Sequence, residues 1–508
     1  MDKRMNVSFG SQGAAAVSAE ALVSYVFEPE KDGGKPVEGA LDEVDKAAGG
    51  TISRVASAGE LTGKKFETTL LHFVPGIAAQ RVLLMGAGKR EKFGNAELRR
   101  LASVAARFLK ARAIKNVAFL AREGQRDAAS AQAVTEGLIL GTFDGDKYRT
   151  DKKNGPLESA ILVGFDEPAQ AGIDRGRIVA ECQNFARELG NEPSNLLTPS
   201  MLADRAVAIA REAGLAVDVL DEKRIAELKM GALLGVARGS AEPPRLVVLT
   251  YTPEKVVPGA PVLGLVGKAI TFDTGGISIK PADNMEKMKF DMAGGAAMLA
   301  TMRALSQLKP KIKVIAVIPS TENMPGGRAQ KPGDVQITMS GKSVEVINTD
   351  AEGRLILADG VAYAKQLGAT HLVDAATLTG AIVVALGGVN SGVFGTNEAF
   401  TQKVLASARA AGEKMWHMPL DDDYRDQIKS TIADIQNVGG RPAGASTAAW
   451  FIREFTGDTP WVHLDIAGTA WLDDAKPWGG KGGTGVAVRT LIDLAMNFDT
   501  APTPGSKA

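Results

Sequence analysis

The chain has a single cysteine, Cys182, so no disulfide can close within it, and a lone thiol suits a reducing compartment. Neither sign of charge is in excess: 59 basic and 59 acidic side chains give a formal net charge of zero. Such a balance provides no global attraction to nucleic acid or to an anionic membrane. No uninterrupted apolar run approaches the ~20 residues of a membrane span. The start Met1-Asp2-Lys3-Arg4 leads into small and polar residues rather than a signal-peptide core, and the expected compartment is the cytoplasm. Histidine is scarce, and His72, His371, His417 and His463 are too scattered for an HExxH zinc site.

What is present is a regular α/β alternation. The 508 residues, 45% of them hydrophobic, suffice for more than one core. Apolar runs at Arg81 to Gly86, Asn116 to Ala121 and Ala160 to Phe165 alternate with helical patterns such as Leu98 to Ala111, which predicts a first α/β unit over residues 1–170. A helical stretch from Asp174 to Leu189 predicts a connector over 171–190. Strands at Leu246 to Tyr251, Val262 to Val266, Lys313 to Pro319, His371 to Ala375 and Val462 to Ile466, around helices such as Gly294 to Leu308, predict a second unit over 191–508. Glu30 to Pro36 and Arg149 to Pro156 read as loops, and the tail from Thr500 to Ala508 as disordered.

Asn348-Thr349-Asp350-Ala351-Glu352-Gly353-Arg354 places two acids and a guanidinium at alternate positions before an apolar helical pattern. In an extended segment, 350, 352 and 354 project to one face. Adjacent carboxylates repel each other unless a cation neutralises them, and their oxygens are ligands for hard divalent metals. Upstream, the strand at Val262 runs into Gly267-Lys268-Ala269-Ile270-Thr271-Phe272-Asp273-Thr274-Gly275-Gly276, with Lys280 shortly after and Asp291 opening the next helical stretch. Paired glycines at a strand end let backbone come close to an ion or substrate.

Together these segments resemble the M17 leucyl aminopeptidases, whose signatures are GK-x-x-x-FD-x-GG-x-x-x-K and NTDAEGR. Both are present in full. Gly190-Asn191-Glu192-Pro193, the DAATLTG segment from Asp374 to Gly380, and Trp461 to Gly468 also match. Ala269 and Thr274 stand where the family more often has Gly and Ser, which leaves every ligand in place. The resemblance implies a two-domain α/β protein, with a smaller macro-like N-terminal domain and a larger C-terminal catalytic domain around a central mixed sheet. It implies two divalent metal ions per subunit, manganese or zinc, with magnesium or cobalt as further options. Lys268, Asp273, Asp291 and Glu352 would hold the tighter ion, and Asp273, Asp350 and Glu352 the more exchangeable one. Lys280 and Arg354 would be catalytic, with Arg354 binding bicarbonate as proton shuttle. Met288, Asp291, Thr377 and Gly380 would receive the substrate's first residue, and a homohexamer would be the assembly.

The residue types suit that chemistry. Two divalent cations cancel the charge of Asp273, Asp291, Asp350 and Glu352 if Lys268 is neutral, and nearby cations can force its proton off. A hydroxide bridging two ions can attack a peptide carbonyl. A Lys280 ammonium would stabilise the new oxyanion. The expected activity is release of a leading apolar residue, leucine above all, from peptides.

Blander readings exist for each feature. Acids at a helix start are common surface features, most lysines are solvated, and methionines such as Met285, Met288 and Met292 more often fill cores. The Asp421-Asp422-Asp423 run reads as solvated, the Gly479 to Gly483 run as loop punctuation, and His463 as a structural strand histidine. Two other functions are carried forward as alternatives. One is a dinuclear phosphoesterase, because paired ions also clamp in-line displacements. The other is a nucleic-acid-binding or scaffold protein with a vestigial site, against which the intact ligand set argues.

Overall fold

The computed structural model describes residues 5–29, 37–151, 155 and 157–499. The loop expected at Glu30 to Pro36, part of that at Arg149 to Pro156, and the tail from Thr500 lie outside the described residues. The chain divides into two compact units, Met1–Glu181 with Asp474–Lys481, and Cys182–Asp473 with Gly482–Ala508. The division falls within the helix Ala169–Asn191.

The smaller unit is built on a six-stranded sheet in the order Asn6–Gly10, Ser159–Val163, Asn116–Leu120, Ala21–Val26, Arg81–Gly86, Thr68–His72. All neighbours are parallel except the last pair. The Ala21–Val26 strand is buried along its whole length, as a parallel strand with both faces covered must be. The helices Asn95–Lys110 and Ala128–Gly141 pack closely, because Gly137 and Gly141 bring one backbone onto the other: a Cβ on Gly137 would stand 2.1 Å from the Arg99 carbonyl oxygen. The segment Asp474–Lys481 belongs to this unit through Trp478, whose carbonyl accepts from Ser103 Oγ at 2.8 Å and whose ring lies 5.5 Å from that of Phe66.

The larger unit carries a nine-stranded mixed sheet. Its parallel centre is Trp461–Asp465, His371–Ala376, Val262–Gly267 and Lys313–Asn323. Antiparallel neighbours lie on either side, Ser391–Gly395 on Trp461–Asp465 and Arg245–Tyr251 on Lys313–Asn323. The ninth strand, Ala269–Asp273, extends the far end of Lys313–Asn323 in parallel. Helices Ala293–Leu308 and Glu352–Gln366 pack on the central strands, and Leu355, Ile356, Val361, Val266 and Val317 share one core. Carboxyl ends of parallel strands are where an open α/β sheet leaves a crevice, and the acids of interest gather there.

Candidate metal centre

Local sequence explains how each side chain arrives. Lys268 sits at the corner between Val262–Gly267 and Ala269–Asp273, and Asp273 is the last residue of its strand. Gly275 and Gly276 follow with φ of 86° and 67°, a backbone that L side chains rarely adopt. A Cβ on Gly275 would come within 2.8 Å of Asp350 Oδ1. Asp291 ends the 3-10 turn Met285–Phe290, just before the helix that starts at Ala293. Glu352 is the first residue of the helix Glu352–Gln366, and Gly353 leaves room for Lys268, whose Nζ would be 2.8 Å from a Cβ there.

One local expectation is corrected. Residues 350, 352 and 354 are not an extended run on one face, because the helix begins at Glu352. Arg354 therefore points about 200° round the helix from Glu352, and its Nη1 donates to the Asn437 carbonyl at 2.7 Å.

Carboxylate oxygens of Asp273, Asp350 and Glu352 lie within 4.8 Å of one another. Lys268 Nζ is 2.9 Å from Asp291 Oδ1, 2.8 Å from Glu352 Oε1, and donates to the Thr377 carbonyl at 2.9 Å. Lys280 Nζ spans Asp273 Oδ2 at 2.8 Å and Asp350 Oδ1 at 2.5 Å. The expected ligands Lys268, Asp273, Asp291, Asp350 and Glu352 are thus brought together with Lys280. Thr377 joins them, its hydroxyl donating to Asp291 Oδ1 at 2.7 Å. Met288 meets the cluster through its carbonyl, which accepts from Asp291 N at 3.3 Å. Gly380 is an exposed residue at the start of the helix Gly380–Leu386.

The electrostatics are those of crowded acids. Burial and neighbouring carboxylates push Asp291 and Glu352 upward, and burial does the same to Asp350. Burial disfavours the charged forms of Lys268 and Lys280, yet the surrounding carboxylates outweigh it and raise both amines, a pull on Lys268 that bound cations would cancel. Burial lowers Arg354 to about 10, against the pull of Glu352 and Asp465. Four carboxylates against two ammonium groups leave surplus negative charge, and Asp291 Oδ2 is buried with no hydrogen-bond partner. Oxygen donors with one amine, in surplus negative charge, fit divalent metal ions.

Sequence reasoning did not single out Asn437 and Asp465, two polar residues that hold this arrangement. Asn437, fully buried, accepts from Ile347 N at 2.8 Å and donates to the Asn348 carbonyl at 2.7 Å, fixing the loop before Asp350. Asp465 accepts from Thr379 Oγ1 at 2.6 Å and from Leu378 N at 3.3 Å, anchoring the loop that carries Thr377. His463 lies in the strand Trp461–Asp465, fully buried, with Nδ1 2.5 Å from Asp374 Oδ1. Burial works against its charge, but Asp374 prevails and raises its pKa. Asp421, Asp422 and Asp423 are exposed, as a solvated run would be.

Residues 184–492 match the model of the cytosol aminopeptidase family catalytic domain, and 23–152 match that family's N-terminal domain. The chain belongs to the cytosol aminopeptidase family. A probable cytosol aminopeptidase of Solibacter usitatus is 54% identical over 494 residues, covering 97% of this chain and all of that one. Another from Koribacter versatilis is 48% identical over 517 residues, covering 97% of this chain. Among solved structures, a mutant of tomato leucine aminopeptidase superposes with a TM-score of 0.87 at 32% identity, covering 97% of this chain and 96% of that one. The bottromycin maturation enzyme BotP in complex with Mn gives 0.83 at 33% identity, covering 94% of this chain and 99% of the other. This family member is a metal-dependent aminopeptidase with a two-domain α/β fold. Neither the phosphoesterase nor the nucleic-acid-binding alternative finds support in these matches. Among the described residues no helix is long and apolar enough to cross a membrane.

Proposed function

We propose that this chain removes a leading apolar residue, leucine above all, from peptides, using two divalent ions held by Lys268, Asp273, Asp291, Asp350 and Glu352. The observation that carries the reading is the convergence of Asp273, Asp350 and Glu352 oxygens within 4.8 Å, in a cluster with surplus negative charge. When bound, such ions would supply a Lewis acid and a water acidic enough to lose its proton near neutrality. Manganese is favoured by the BotP complex and by the oxygen-rich donor set, and zinc also accepts Asp and Glu oxygens.

The remaining roles fall to the chain's own groups. Asp291, with Oδ2 unpartnered, accepts a hydrogen bond from the peptide's free amino group, which restricts cleavage to the first residue. Thr377, Met288 and Gly380 line the space for that residue's side chain. Lys280, protonated and on the glycine loop, donates to the oxygen that becomes negative as the carbonyl is attacked. Arg354 Nε is buried without a hydrogen-bond partner, which supports a small planar anion such as bicarbonate at the guanidinium. That anion would move the proton for which no side-chain base is free. We place the domains at 1–170 and 191–508 around a connector at 171–190, with Asp474–Lys481 the one stretch of the second range that folds into the smaller unit, and assembly as a homohexamer in the cytoplasm. The buried thiol of Cys182 and the relatives' designation as cytosol aminopeptidases support that compartment.

The test is metal analysis of the purified chain, with leucyl-p-nitroanilide and p-nitrophenyl phosphate assayed before and after chelation and on adding back manganese. Two ions per chain and chelator-sensitive release of p-nitroaniline are expected. Phosphatase activity with no aminopeptidase activity would overturn the reading.

A further inference from the structure

The strand Ala269–Asp273 pairs with Lys313–Asn323 in regular register only at first. Ala269 faces Ser320 and Ile270 faces Thr321, but then Asp273, not Phe272, falls opposite Asn323. One extra residue on the Asp273 strand makes a bulge, a feature that re-aims side chains beside functional sites. Here it sets an acid against an amide. Asn323, 1% exposed, has its Nδ2 2.8 Å from Asp273 Oδ1, 3.0 Å from the Thr349 carbonyl and 3.5 Å from Glu352 Oε2. All three are pure acceptors, so the amide nitrogen rather than its oxygen must face them.

The consequences for Asp273 are specific. Its Oδ1 accepts from both Asn323 and Gly275 N, each at 2.8 Å, while Oδ2 is left facing Lys280. Asn323 is itself fixed, because its carbonyl accepts from Thr274 N at 3.0 Å and Thr274 Oγ1 at 2.8 Å. Gly276 makes room for it, since a Cβ there would stand 2.8 Å from Asn323 Oδ1. A neutral amide suits this place for an electrostatic reason: it stabilises carboxylates by donation without adding a positive charge that would compete with cations for them.

We propose that Asn323 is a positioning residue of the metal centre, orienting Asp273 by saturating one of its oxygens and tying that strand end to the loop of Asp350 and Glu352. The inference rests on the metal-site reading above. Partners of this kind, one step removed from the metal, contribute roughly 10–100-fold in affinity or activity.

The test uses the full chain, stripped by chelator and titrated with Mn²⁺ alone, followed by calorimetry and by the electron paramagnetic resonance of the bound manganese pair. Asn323→Ala is expected to weaken Mn²⁺ binding by about 10–100-fold and to alter the pair's spectrum. KM for leucyl-p-nitroanilide at saturating Mn²⁺ should stay within about twofold. Asn323→Ser, whose hydroxyl still donates one hydrogen bond, should fall between, and it decides alone if the alanine variant does not fold. Unchanged Mn²⁺ affinity in the folded variants overturns the inference, even if the metal-free melting temperature drops. Failure of the unaltered chain to bind Mn²⁺ would instead remove the metal-site reading.

Discussion

In the smaller unit Glu136 is buried against the guanidinium of Arg99, and Asp45 accepts from Ile52 N at 2.7 Å and from Ser53 N at 3.1 Å, so each inward acid has its own donors. In the larger unit Asp273, Asp291, Asp350 and Glu352 share two lysines and leave an oxygen with no partner. Both units use the same α/β construction and both bury charge. A buried acid with its own donors serves structure, whereas clustered acids that outnumber their counter-charges are tolerated only where something cationic is to be held.

Substitutions can break that contrast. The largest effect is expected for Glu352→Ala, which removes an acid shared by Lys268 and the Asp273–Asp350 group. Its kcat/KM with leucyl-p-nitroanilide should fall by more than about 10³-fold, beyond the loss of one oxyanion donor. Substantial retained activity would show that the surplus charge has no catalytic meaning. Glu136→Ala should do the reverse, lowering unfolding free energy in urea by about 3–5 kcal/mol because the buried ion pair with Arg99 is broken. The kcat of its folded fraction should not move, and a loss of kcat would erase the distinction between the units. Lys280→Ala should cost about 10²–10³-fold in kcat with little change in KM, if its donation matters chiefly as charge develops on the substrate oxygen. Equal changes in KM would reduce Lys280 to a binding group.

The smallest effect sharpens the comparison within the larger unit. Asp359 is fully buried on the helix Glu352–Gln366 and accepts from Leu233 N at 2.9 Å and Met339 N at 2.8 Å, so it resembles the acids of the smaller unit. Burial raises its pKa to about 7, against those backbone donors. The folded chain then binds this proton more tightly than the unfolded chain, so the contribution is greatest below the unfolded pKa near 3.8 and is lost as pH climbs toward 7. The slope is up to about 1.4 kcal/mol per pH unit. A carboxamide in its place cannot titrate, so Asp359→Asn should flatten stability between about pH 4 and 7 in urea melts. An unchanged slope would assign that pH dependence to other groups.

Much of the site was legible because its acids and lysines are packed into two short segments whose spacing survives any fold. The central strands were legible too, as apolar runs with both faces covered. The supporting amides were not. Asn323 and Asn437 are ordinary polar residues in sequence, and what makes them matter is a shifted pairing and a loop crossing that no local pattern encodes. Paired glycines at Gly275 and Gly276 signalled the close approach without naming Asn323 as the neighbour. The orientation of Arg354 was misread because helix begins at Glu352, inside the motif, and helical side chains at i and i+2 diverge. The return of Asp474–Lys481 to the smaller unit left no trace beyond a glycine run, since membership there depends on Trp478 and Ser103 meeting across the chain.

The irregular pairing of Ala269–Asp273 gives residue count, rather than residue type, a role of its own. In an uninterrupted strand, side chains two apart share a side. Removing either Thr271 or Phe272 would straighten the ladder and leave the aspartate opposite Asn323, on the side of Ile270, but with one residue fewer between it and Lys268. A redesign that kept each ligand while tidying this strand by a single deletion would thus keep the acid facing its amide and change the reach between the lysine and the aspartate instead.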